Sequence, residues 1–313
     1  MNNITSLTFA ILDYPEAQKA ATEGLRDLFT TASQLSQTSG GPAIEVELVS
    51  PDSLTSQSGF AAIVLPPSLG DFAKTGQTDA IENWLRAHYG KGTLICSICA
   101  GAFLLARTGL LNHREATTHW ALAEDFATHY PDVLLRVDKL VIEAPDLITA
   151  GGLMAWTDLG LRLIDRFAGS SIMLETARFF LIDTGEREQS YYSRFTPSLK
   201  HGDQNILKLQ QWLQTQTRSS VPVTEMARKA GLSDRTLLRR LHKATGHNPS
   251  EYLQHLRMNE ARDLLLESNS SVDDISWSVG YQDPSAFRRT FHRIVGLTPR
   301  EFRKRFATGR GSN

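Results

Sequence analysis

Shifting the sequence by 49 residues lays Gly231 on Gly280, Asp234 on Asp283, and Arg239-Arg240 on Arg288-Arg289. With one residue more, Gly246 falls on Gly296, Pro249 on Pro299, Glu251 on Glu301 and Tyr252 on Phe302. A repeat longer than most helices, with Gly and Pro in register, is a duplicated supersecondary unit. Each copy has the parts of a helix-turn-helix. In the first, VTEMARKA (223–230) is amphipathic, with Val223, Met226, Ala227 and Ala230 on its apolar side. Gly231 supplies the turn, where a residue free to adopt positive φ ends a helix at little cost. Ser233 or Asp234 caps a second helix, RTLLRRLHKAT, whose Leu237, Leu238 and Leu241 are expected to face inward.

That assignment leaves Arg235, Thr236, Arg239, Arg240 and Lys243 for the outer face. In the second copy VDDISWSV (272–279) precedes Gly280, and PSAFRRTFHRIV follows from Pro284, a residue suited to a first helical turn. Phe287, Phe291 and Ile294 would pack, leaving Ser285, Arg288, Arg289, His292 and Arg293 outside. One basic helix face is usually a solvated face. Two copies, each with a turn Gly and an Arg-Arg pair, fit the major groove, where guanidinium groups pair bidentately with guanine edges. The expected DNA-binding residues are Ser233, Arg235, Thr236, Arg239, Arg240, Gln282, Ser285, Arg288, Arg289 and Arg293. YLQHLRMNEARDLLLES (252–268) would join the two units.

These residues carry a resemblance. The pattern AxxxGLSxRTLLRRLxxATGxxPxEYLQxLRMxxARxLL…ISxxVGYxDPSAFRRTFxxxxGxTPxEFRKRF, over about residues 221–306, closely resembles the AraC-type transcriptional regulators. The resemblance implies a domain of two helix-turn-helix units that binds promoter DNA and activates or represses transcription with RNA polymerase. It also implies an effector-binding partner domain, usually dimeric.

Charge agrees with a division of labour. The chain of 313 residues is 41% hydrophobic with a net charge of −1. Residues 200–313 hold 19 Lys and Arg against 11 Asp and Glu, so that half is basic and the remainder acidic. No apolar run has the length of a membrane helix, and the amino terminus lacks a basic stretch before an apolar one, so a cytoplasmic protein is expected. The only cysteines, Cys96 and Cys99, form a lone CxxC with no second Cys/His pair at ligand spacing. No metal and no cofactor is expected.

The first half alternates β-rich and helical runs. Strands are expected at 7–12, 44–50, 61–67 and 93–98, and helices at 15–37, 79–88 and 100–107. Paired strands with a turn at Pro145-Asp146 are expected within 134–152, then helices at 154–167 and 172–181. This is an α/β fold with a buried, mostly parallel sheet, a Rossmann-like sandwich joined to an all-α domain. We expect a sensing domain at 1–186, a polar linker at 187–204, and a DNA-binding domain at 205–313 with its units at about 221–250 and 270–300.

Strand TLICSI, the turn Cys99-Ala100-Gly101 and the helix after it make a nucleophile elbow, and His119 could supply an imidazole. With the fold pattern, SICAGAFLLARTGLLNHREATTHW (97–120) resembles class I glutamine amidotransferase-like domains of the intracellular-protease-like branch fused to AraC-type regions. Three features oppose hydrolysis. The turn after the third strand is Leu65-Pro66-Pro67-Ser68, where Pro67 cannot donate to an oxyanion. Neither Glu16 nor Glu23 is placed to orient His119, and a DNA-binding half makes a sensor more useful than an enzyme. Cys99 and His119 are therefore read as vestigial rather than catalytic. Sheet topology puts the effector pocket at Cys99, Gly101, His119, Trp120 and Trp156, and the resemblance implies an amino acid or quaternary amine. A thiol-dependent amidase or deglycase with an accessory DNA-binding domain is the alternative, and a redox switch through Cys96 and Cys99 is a third reading.

Overall fold

The computed structural model describes residues 6–55, 59–184, 187–219 and 221–307. The chain divides into two compact units, residues 1–189 and 190–313. Residues 185 and 186, at the expected end of the sensing domain, lie outside the described residues.

In the first unit, β1 (Ser6–Leu12), α1 (Lys19–Thr38), β2 (Ala43–Val49) and β3 (Ala62–Leu65) come first. α2 (Phe72–Thr75), α3 (Asp79–Tyr89), β4 (Leu94–Ile98) and α4 (Gly101–Arg107) follow. Then come β5 (Glu115–Ala116), α5 (Ala123–His129), β6 (Leu134–Leu135), β7 (Val141–Glu143) and β8 (Leu147–Ala150), closed by α6 (Trp156–Ala168) and α7 (Ser170–Phe179). Six strands form one sheet in the order β2-β1-β3-β4-β8-β7. All its neighbours pair parallel except β7 with β8. Because β3, β4 and β8 are buried throughout, their sequences read as continuous apolar runs rather than alternations.

The strand order reverses at β1. α1 carries the chain from β1 to β2 in one direction, while α3 carries it from β3 to β4 in the other, so right-handed crossovers place the two helices on opposite faces. A crevice therefore opens beyond the carboxyl ends of β1 and β3. The expected helix at 15–37 begins only at Lys19, and the difference builds this crevice. Glu16 adopts a positive φ of 65°, and the Gln18 N–H donates to Pro67 O at 2.8 Å, tying the segment after β1 to the segment after β3. α2, α5 and the two-residue pair β5–β6 are too short for a periodic signal.

The second unit is all helix: α8 (Gln204–Gln214), α9 (Val223–Ala230), α10 (Asp234–Thr245), α11 (Pro249–Glu267), α12 (Val272–Ser278), α13 (Pro284–Val295) and α14 (Pro299–Phe306). It holds two apolar cores. Met226, Leu237 and Leu241 meet Tyr252, Leu253 and Leu256 in one; Ile275, Phe287, Phe291 and Phe302 meet Met258, Ala261 and Leu265 in the other. α11 thus gives its first half to one core and its second half to the other. Residues 190–195 pack on the same helix. Arg262, only 5% exposed, donates to Ser190 O at 2.7 Å and to Ser193 O. Asn259 exchanges two hydrogen bonds with the Phe195 backbone, and Asp263 pairs with Arg194.

Candidate nucleic-acid interface and ligand cleft

Each helix-turn-helix ends its first helix on a left-handed or near-left-handed glycine, Gly231 at φ 64° and Gly280 at φ 82°. Ser233 caps α10 by accepting from the Thr236 N–H, whereas Asp283 caps α13 by accepting from Ser285 and Ala286. Three residues, then, separate Gly280 from α13, but two separate Gly231 from α10. The extra residue sits in the turn, so the second helices correspond at an offset of 50 along their whole length. The cores confirm this register, since Leu237 and Leu241 are buried where Phe287 and Phe291 are buried.

Three expectations change accordingly. The two Arg-Arg pairs are not equivalent: Arg239 corresponds to Arg289, Arg240 to Thr290, and Leu238 to Arg288. Leu238 does not face inward but is 44% exposed, and the wholly buried Val295 joins the second core, with Ile294 packed against it half-buried. Arg240 turns back onto α8, where its guanidinium binds the Asp203 carboxylate at 2.7 and 2.5 Å. That ion pair holds the Asp203 carboxyl below the usual carboxylate range and lets it cap α8 at Ile206.

Arg235 and Arg239 are exposed, and no described residue hydrogen-bonds to either guanidinium. Ser285 and Arg289 are exposed on α13, with Arg289 3.8 Å from Asp283. Arg288 is paired with Asp273 of α12, and Arg293 donates to Gln254 at 2.7 Å. Gln282, in the turn, is exposed, while Thr236 is half-buried beside the Ser233 cap. What remains outward on α10 is Arg235, Leu238, Arg239, His242 and Lys243; on α13 it is Ser285, Arg289, His292 and Arg293 around the half-buried Arg288.

The elbow of the first unit is real in its backbone. Cys99 has φ 54°, a left-handed conformation costly for any residue with a side chain, and its N–H donates to Ala150 O at 2.7 Å. A Cβ on Gly101 would stand 2.5 Å from Leu65 O, so only glycine lets α4 start so close to the end of β3. The chemistry of an activated thiol does not follow. Burial pushes the Cys99 thiol up to about 11, against a small opposing effect of the Ala100 N–H. Cys96 is wholly buried and its thiol is pushed higher still. His119 spends Nδ1 on the Ala121 N–H at 3.0 Å, burial lowers its pKa, and none of its described hydrogen bonds reaches Cys99 or a carboxylate.

Cys99 and the segment around His119 are nonetheless linked. Thr118 Oγ1 donates to Cys99 O at 2.7 Å, and Gln189, buried to 2%, donates to Thr118 O and accepts from the Trp120 N–H. Trp156 packs on α1, its ring 2.6 Å from where a Cβ on Gly24 would stand.

At the strand-order reversal there is a cleft. It is lined by Asp13, Tyr14, Glu16, Gln18, Asp52 and Phe72, with Lys19, Ser50 and Gly70 among their neighbours. None of the five expected pocket residues is in its lining. Tyr14 and Phe72 stack with centroids 5.9 Å apart, and the Tyr14 hydroxyl donates to Pro66 O at 2.5 Å. Glu16 accepts from the Phe72 N–H at 2.8 Å, which directs its carboxylate to the loop after β3 and not to His119. Gln18 Oε1 is buried with no hydrogen-bond partner among the described residues. Sequence reasoning missed these residues because they sit in what reads as the first turn of a helix; a Tyr-Pro-Glu directly after a buried strand was the available signal.

A doubly wound α/β domain followed by two helix-turn-helix units defines a two-domain protein with a crevice at the strand-order reversal of one part and a nucleic-acid reader in the other. Comparison with known proteins specifies both parts. Residues 27–166 match the DJ-1/PfpI family, and residues 226–305 match a helix-turn-helix domain family. The HTH-type transcriptional regulator CdhR of Pseudomonas aeruginosa is 28% identical over 228 residues, 72% of this chain and 67% of that protein. The HTH-type transcriptional activator RhaS of Escherichia fergusonii is 39% identical over 111 residues, 34% of this chain and 40% of that protein. A crystallised protein from Vibrio parahaemolyticus shares the first fold with a TM-score of 0.50 and 18% identity, covering 56% of this chain and 99% of that one. The chain joins a DJ-1/PfpI-family domain to an AraC-type helix-turn-helix domain.

Proposed function

We propose that the protein is a sequence-specific DNA-binding transcriptional regulator of the cytoplasm whose first unit binds a small effector and biases the second. The observation that carries this reading is the pair of capped helices α10 and α13, each with an outward basic face. Guanidinium groups with no hydrogen-bond partner among the described residues, as at Arg235 and Arg239, meet phosphate or guanine edges. Promoter DNA is the partner, with RNA polymerase downstream and a homodimer as the working form. Selection from a random duplex pool, followed by binding measurements on an Arg239→Ala/Arg289→Ala double variant, tests it. Loss of sequence preference in the variant supports the reading; unchanged operator affinity contradicts it.

The effector cleft at the strand-order reversal fits a small cation. Asp13 is paired with Lys19 at 2.6 Å, which leaves Glu16 and Asp52 as the excess charge of the lining, and the half-buried Phe72, stacked on the buried Tyr14, gives an aromatic edge. The cation is an amino acid or a quaternary amine, the two chemistries the resemblance implies. Thermal-shift measurements with amino acids and quaternary amines should show stabilisation by one of the two classes that Glu16→Gln removes; no stabilisation by either would overturn this reading. Hydrolysis is not favoured, since a thiol held near 11 supplies little thiolate at neutral pH.

A further inference from the structure

The two reading helices differ most at one position. Leu238 of α10 stands where α13 has Arg288, and it is 44% exposed between Arg235 one turn before, Arg239 beside it and His242 one turn after. It takes no part in the apolar core of its unit, which Leu237 and Leu241 fill. A single exposed leucine is ordinary on a protein surface. This one is set in the middle of a face otherwise cationic, and that face complements a polyanion. In the major groove the only apolar signal on a base edge is the 5-methyl group carried by thymine. We infer that Leu238 is a specificity-determining residue of the first helix-turn-helix, reading a thymine methyl in the major groove.

The inference rests on the reading that α10 enters that groove, and it assigns different chemistry to the two halves of one operator. The first unit reads a thymine by an apolar contact at Leu238, flanked by Arg235 and Arg239. The second unit has no apolar group at this position and places Arg288 there, steadied by Asp273. A half-site for α10 therefore contains an obligatory thymine that the half-site for α13 lacks at the matching position.

The test uses the full chain and synthetic duplexes, which contain no methylcytosine. A preferred sequence is first selected from a random pool, and each of its thymines is then replaced in turn by uracil, which pairs identically but lacks the methyl. For the unaltered protein, one uracil position in the first half-site should weaken binding about four-fold, the value of withdrawing one methyl group from an apolar contact. Leu238→Ala should lose about the same factor on the thymine duplex and be indifferent to uracil at that position. Its thermal melting and its affinity for unselected DNA should match those of the unaltered protein. If no uracil position weakens binding, or if Leu238→Ala retains the sensitivity, the inference is wrong while the regulator reading stands. If no sequence is enriched at all, the regulator reading itself fails.

Discussion

α10 and α13 are built on one plan and finished differently. Both begin on a side-chain cap, bury two large apolar residues four apart, and end on a left-handed glycine, Gly246 or Gly296. Outside, Arg235 faces Ser285 in the comparison, Thr236 faces Ala286, and Leu238 faces Arg288. The turn before α13 is longer by one residue, so matching the surface arginines by sequence would rotate one helix against the other by a full residue step. The lesson is that buried residues, not similar-looking charged ones, fix how a duplicated unit is to be superposed. A core position has neighbours on every side, whereas a surface arginine is constrained on one side only.

The comparison breaks most visibly if its buried positions are wrong. Phe291→Ala in the second unit should cost about 3–5 kcal/mol and Leu237→Ala in the first about 2–5 kcal/mol, while Leu238→Ala should cost under about 0.5 kcal/mol. Chemical denaturation reads all three; equal costs for Leu237→Ala and Leu238→Ala would restore the register of 49.

Acid should then separate the two units. In the first, Phe195, His247 and His255 form a ring cluster, with His255 4.8 Å from Phe195 and 4.7 Å from His247. Burial lowers His255 to about 4, reinforced by the charges of His247, Arg293 and Arg262 and opposed by Glu251. The neutral ring is thus the folded form. Its contribution is complete above the ordinary histidine value near 6.5 and declines as pH falls toward about 4. At pH 5 the loss should be about 2 kcal/mol. The matching positions of the second unit are Leu297 and Arg305, neither of them a histidine. Proton-dependent melting confined to the first unit, seen by amide exchange, checks this; uniform melting would contradict it.

Smaller effects distinguish the arginines. Arg239→Ala or Arg289→Ala should each weaken operator binding by about 1–3 kcal/mol where the side chain reads a base, and all DNA alike where it meets phosphate. Arg240→Ala should instead lower stability only slightly, because its ion pair with Asp203 is partly solvated, and should leave sequence preference intact. A changed preference in Arg240→Ala would mean that this side chain swings outward on DNA.

Much of the architecture was legible. VTEMARKA is bounded as its apolar periodicity and turn glycine require, and the buried runs at β3, β4 and β8 announce themselves as central strands. The backbone of the elbow was also legible, from Cys99-Ala100-Gly101 after a strand. The burial that raises its thiol and the capture of His119 Nδ1 by a neighbouring N–H were not, since they depend on residues distant in sequence or on local turns without periodicity. The cleft at Tyr14–Gln18 was hidden for a related reason: helical spacing continues through Glu16, and only a cross-link to Pro67 shows that the chain there is not helix. Leu238 was misplaced because the spacing of Leu237, Leu238 and Leu241 fits an inward stripe that is one residue too wide.

The buried Arg262 decides where the helical unit can be cut. Its guanidinium reaches carbonyls of Ser190 and Ser193, and burial has already brought its pKa down to about 10. A fragment starting at Gln204 would begin at a helix boundary, yet it would strand that cation inside α11 without acceptors. One starting at Ser190 keeps them. The natural amino end of the DNA-reading part is therefore an irregular segment, and a protease that respects folded bodies should spare residues 190–195.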